Sequence, residues 1–107
     1  MTDITELSNQ VINTIHETDE YIAYIETRNE LRKDPALYER VNEFRAKNFL
    51  LQQADSDDLL DMMDALTNEY EDVINIELVS EFITAEVALC RLVQEFNHRL
   101  IDGLDFD

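Results

Sequence analysis

Helix breakers are almost missing from this chain, which holds one glycine, Gly103, and one proline, Pro35, in 107 residues. A sheet of many strands needs turns, and turns draw on Gly and Pro, so the scarcity favours long helices. The longest uninterrupted stretch runs from Asn75 to Gly103. It predicts a helix of about 27 residues, roughly 40 Å, capped by Asn75 and ended at Gly103. Its apolar positions fall in two registers. One is Phe82, Leu89, Val93, Phe96 and Leu100, at helical steps apart from Glu86. The other is Ile76, Val79, Ile83, Val87 and Cys90 on an adjoining face. A stripe that wide suits a helix contacted on more than one side.

The rest of the chain reads the same way. Thr2 or Asp3 opens a first long helix reaching Lys33, and Asp3 with Glu6 has capping-box spacing. Ile4, Leu7, Val11, Ile15, Ile22 and Ile25 form its stripe, interrupted at Thr18 and Asn29, with a helical and not an alternating period. Asp34-Pro35 is the strongest boundary, an N-cap followed by Pro at the first helical position. The second helix carries Leu37, Val41, Phe44, Asn48 and Leu51 and ends near Gln53. After the polar break 54–57, a third helix runs to Ile74 with Leu59, Met62, Met63, Leu66, Tyr70 and Val73 on one side. Neither Gly nor Pro marks Asn75, so a kinked continuous helix from Asp57 to Gly103 stays open. Short connections favour antiparallel neighbours. The expectation is an all-α antiparallel bundle of four helices in one domain over residues 1–107, the first and last long and the middle pair shorter. The second register of the last helix exceeds what four thin helices cover. Ile76, Val79, Ile83, Val87 and Cys90 are therefore the expected partner or oligomer surface.

Charge narrows the partners. The net charge is −17, with 8 Lys and Arg against 25 carboxylates, and the stretch 55–75 has no cation at all. Phosphate backbones and anionic membranes are bound through Lys and Arg, so direct contact with either is disfavoured. A basic protein partner is compatible, and so is plain solubility. An acidic mimic of nucleic acid, seated in a basic protein's groove, is an alternative. One Cys makes no internal disulfide, MTDITELSNQV has neither a basic segment nor an apolar run, and no stretch is apolar enough to span a bilayer. A cytoplasmic protein is expected.

Residues that carry chemistry are few. Glu95-x-x-His98 has the i, i+3 spacing of di-metal helical bundles, but these need a second such pair and two further Glu. The other histidine, His16, has Asn13 three residues before it. A metal-binding bundle is kept as an alternative to a polar helix face. Asp55, Asp57, Asp58 and Asp61 do not make an EF-hand loop, whose sixth residue must be Gly and is here Leu60. Cys90, inside an apolar register, reads as a small buried hydrophobe, and Met62 and Met63 read as core filler. No phosphate loop or catalytic triad can be assembled. The expectation is a protein that is not an enzyme and takes no cofactor and no small-molecule substrate.

Three runs carry a family resemblance: Asp34-Pro35-Ala36-Leu37-Tyr38 with VNEFRAKNFLLQ, then Val79-Ser80-Glu81-Phe82, then AEVALCRLVQEFNHRLIDGL. In this order they resemble the YlbF/YmcA-like proteins of Gram-positive bacteria, over nearly the whole chain. Ile76 departs from the family, where Pro often follows the Asn. Iron–sulfur ligation is not carried over on one Cys. The resemblance implies a small cytoplasmic helical regulator without catalytic activity, whose members associate with one another and with other proteins; the expectation of a homodimer comes from the surplus register of the last helix. It further implies a link to competence, sporulation or biofilm development through modulation of an RNA-cleaving enzyme.

Overall fold

A computed structural model of the chain describes residues 3–55 and 57–105. These form six helices: α1 (Ile4–His16), α2 (Asp19–Arg32), α3 (Pro35–Gln52), α4 (Leu59–Glu69), α5 (Glu71–Ile74) and α6 (Glu77–Leu104). The all-helical class is as expected from the sequence. The count is not, because two of the four anticipated helices are divided.

The first division falls at Glu17-Thr18. Thr18 Oγ1 donates to the Ile15 carbonyl at 2.6 Å and accepts from the Tyr21 amide at 3.2 Å. The same hydroxyl thus ends α1 and caps α2, offering the backbone an alternative to the continuous helical ladder. Asp19 and Glu20 follow in the first turn of α2, where the helix dipole favours carboxylates. His16 and Tyr21 stack across the joint with centroids 4.5 Å apart. The second division falls at Tyr70, whose backbone (φ −108°, ψ 18°) leaves helical geometry while its carbonyl accepts from Val73 and Ile74 at 2.9 Å each. No Gly or Pro announces this break. Contacts of the Tyr70 side chain hold it.

Other boundaries match the sequence more closely. Asp34 caps α3, accepting from the Leu37 amide at 3.2 Å, with Pro35 in the first turn. Asp3 caps α1 through the Thr5 amide at 3.4 Å, and Thr2 lies outside the described residues. Asn75 does not cap α6 but closes α5, and the Ile76 carbonyl takes the first bond of α6, from the Ser80 amide at 3.0 Å. Gly103 does not end α6 either. It sits within the last turn, and Asp105, at φ 55°, takes the left-handed position that terminates helices.

The chain forms two compact units, one of Arg28–Glu81 and the other of Met1–Thr27 with Phe82–Asp107. In the first, α3 packs on α4 and α5, and Leu31, Val41, Leu66, Tyr70, Val73 and Val79 are buried. Truncating a fully buried Leu such as Leu31 to Ala costs about 2–5 kcal/mol. Tyr70 is the hub. Its ring lies 5.6 Å from that of Phe44, with the Arg40 guanidinium 5.3 Å and the Lys47 ammonium 5.1 Å from its centroid. The same two cations reach α4 and α5 directly, Arg40 to Asp72 at 2.6 Å and Lys47 to Glu69 at 3.4 Å. In the second unit Phe82 and Ala85 are buried, and Phe82 stacks on Tyr24 at 5.4 Å. Among the described residues no polar or charged side chain is buried.

The contact with the Tyr70 side chain raises the Lys47 pKa above its ordinary 10.5, outweighing an opposing effect of burial, with the Glu69 carboxylate adding to the rise. The folded chain therefore holds this proton more tightly than the unfolded one. Its contribution is complete below the ordinary lysine value and is lost as pH rises through the folded one. Urea midpoints measured from about pH 9 to about pH 12 should fall less steeply for Lys47→Met than for the parent. Thr18→Ala, which removes a helix cap, should destabilise by about 1 kcal/mol in the same assay at neutral pH. Gly103→Ala should do the opposite by about 0.5–1 kcal/mol, since a methyl there meets nothing within 4 Å.

Candidate interaction surface

The five residues expected to form a partner surface, Ile76 just before α6 and four within it, differ in burial. Val79 is fully buried in the Arg28–Glu81 unit and Ile83 is half-buried, while Ile76, Val87 and Cys90 are exposed. The exposure of Cys90 corrects its reading as a buried hydrophobe. A helix turns by about 100° per residue, so Cys90 lies roughly 80° round α6 from Phe82 and roughly 140° from Ala85, which take the burial. Met62, read as core filler, is also exposed, at 42%.

An apolar groove that the sequence reading did not pick out lies between α1 and α6. Its volume is about 440 Å³, and it is lined by Leu7, Val11 and Ile15 of α1 with Leu92 and Phe96 of α6. Gln10, Thr14, Thr18, Glu95 and Arg99 supply its polar lining. Leu7, Val11 and Ile15 recur at four-residue steps and so share one side of α1. They were expected to pack into a bundle core. Instead Val11 and Ile15 are half-buried and Leu7 and Phe96 are each 42% exposed. Large apolar side chains concentrate in the same unit at Ile4, Ile12, Val93, Leu100, Ile101 and Leu104, all exposed. A signal for this was present in the sequence. The stripes of the first and last helices together hold more apolar side chains than two helices can bury against each other.

A second, shallower recess of about 380 Å³ lies in the Arg28–Glu81 unit, lined by Leu50, Leu51, Met62, Ala65 and Leu66 with Lys47 and Glu69. Its mouth carries the ion pair that links α3 to α4.

The candidate metal residues are engaged otherwise. Glu95 pairs with Arg99 at 3.3 Å, and His98 Nε2 stands 3.5 Å from an Asp102 carboxylate oxygen, one turn further along α6. Among the described residues no three of His, Cys, Asp and Glu gather as a metal ion would require. Asp61, one of the acids of the 55–64 stretch, sits in the first turn of α4, where the dipole accounts for it. Among the same residues no helix is long and apolar enough to cross a membrane.

Helices throughout the described residues place the chain among small all-helical proteins, here with an open apolar groove between α1 and α6. It belongs to the family described as "Control of competence regulator ComK, YlbF/YmcA", whose pattern matches residues 4–105, nearly the whole chain. That description is of regulation and not of an enzymatic reaction. No curated protein and no solved structure matches the chain.

Cys90 gives a direct check of the outer side of α6. In dilute native protein a thiol-specific chromogenic reagent should modify it without denaturant, at a rate close to that of the urea-unfolded chain. A buried thiol would react only after unfolding.

Proposed function

We propose that this protein is a non-catalytic regulatory adaptor of the cytoplasm, a single helical domain that associates with a second copy of itself and docks on other proteins. The observation that carries this is the apolar surface left on α6, where Val87 and Cys90 face solvent on one side and Phe96 lines a groove on another; Ile76, just before the helix, is exposed as well. Scattered exposed apolar residues are ordinary, whereas contiguous ones on one helix mark interaction sites. The net charge of −17 supports protein partners over direct contact with nucleic acid. The family's tie to control of a competence regulator supports a regulatory output, and the resemblance extends it to modulation of RNA processing in development. Both units contain residues of α2 and of α6, which supports treating the chain as one domain.

The self-associating side is assigned to Ile76, Ile83, Val87 and Cys90. Light scattering across a concentration series should give a dimer, and Val87→Asp should return it to monomer with its helical circular dichroism intact. Affinity purification from the native cell should recover a protein partner. A strict monomer at high concentration, together with no recovered partner, would sink the proposal.

A further inference from the structure

We infer that the groove between α1 and α6 is a seat for an amphipathic helix of a partner protein whose apolar face is flanked by Lys and Arg. This rests on the docking role proposed above and names the chemistry of what docks.

Three observations carry it. First, Leu7, Val11 and Ile15 span two helical turns, roughly 12 Å, and face Leu92 and Phe96 across an open channel of about 440 Å³. That is the form of a groove that takes apolar anchors at i, i+3/i+4 and i+7 of an incoming helix. Second, the surroundings are acidic on the α1 side. Asp3, Glu6 and Glu17 are exposed and share the side of α1 that bears Gln10, at the polar edge of the groove. The first 27 residues contain no Lys or Arg. On α6 the edge is mixed, with Arg91 and Arg99 beside Glu95 and Asp102, and Arg99 is paired to Glu95. A basic flank finds complementary charge along α1, whereas a second copy of this chain would bring another cation-free α1 edge. Third, the groove is separate from the side assigned to self-association. Val87 and Phe96 are nine residues apart, half a turn round α6, so one helix presents both without overlap.

The test uses the full chain and three labelled peptides of about 18 residues, five helical turns. The first has Leu at helical spacing with Lys and Arg flanks, the second has the same Leu positions with Glu flanks, and the third is a scramble of the first. Fluorescence anisotropy should show saturable binding of the first peptide only. The second should bind at least about tenfold more weakly, and raising the salt from about 50 mM to about 500 mM should weaken the first several-fold. Leu7→Asp and Phe96→Asp, at half-exposed positions, should each abolish binding while helical circular dichroism is retained. Replacing Asp3, Glu6 and Glu17 by their amides should weaken binding and flatten its salt dependence without altering the apolar lining.

Equal binding of the Glu-flanked peptide, equal binding of the scramble, or full binding by Leu7→Asp would each overturn the inference. So would a dimer that Leu7→Asp dissociates and Val87→Asp does not, since the groove would then hold a second copy. No native partner is needed for the peptide measurement. Its failure leaves the adaptor role standing, and failure to recover a partner from cells leaves the groove's specificity decided by the peptides.

Discussion

The ring of Tyr70 is what turns three short helices into a packed body. It is nearly the most enclosed large side chain of α3, α4 and α5, and it sits where α4 gives way to α5, a place with no intrinsic reason to bend. Apolar burial supplies most of its contribution, about 25 cal/mol for each Å² withdrawn from water. Arg40 and Lys47 add direction, because each lies against the ring and also reaches an acid of α5 or α4. Exposed ion pairs are worth little alone. These two matter because each cation over the aromatic face also ties α3 to a helix on one side of the break, Lys47 to α4 and Arg40 to α5. In a segment where 55–75 carries no positive charge, α3 is also the source of the neutralising groups.

Much of this architecture was legible beforehand, and the misses have physical causes. Asp34-Pro35 was read correctly because cap chemistry and the proline ring act through local sequence alone. Tyr70 could not be read, since the break there depends on residues some thirty positions earlier in α3. Thr18 could have been. Thr followed by two acids is a helix-start pattern, masked because Ile15 and Ile22 continued the apolar period across it. At Asn75 and Gly103 the right residue types sat one or two places from where the backbone turned, and Asp105 took the left-handed position that Gly usually fills.

The surface was half legible for a related reason. Periodicity shows which side of a helix is apolar, but whether that side is covered depends on how many helices meet there. Val79 and Val87 belong to one register, yet one is fully buried and the other is 42% exposed. The surplus of apolar residues was evident from spacing, while its division into a groove beside α1 and an outer side of α6 required coordinates. Cys90 and Met62 were misplaced by the same step, from apolar to buried, which holds only where a neighbour exists.

That no charged side chain is buried among the described residues has a consequence for how this protein fails in acid. Most proteins unfold at low pH because carboxylates locked in native contacts must take up protons, or because buried histidines must charge. Here none of the described carboxylates is buried, so protonating them breaks exposed ion pairs such as Arg40–Asp72 and Lys47–Glu69 but leaves no charge stranded in the interior. What disappears near the isoelectric point of about 4.1 is the mutual repulsion that keeps exposed Leu, Ile and Phe side chains of neighbouring molecules apart. Turbidity should therefore precede unfolding, with the helices surviving inside the precipitate and returning to solution when the pH is raised.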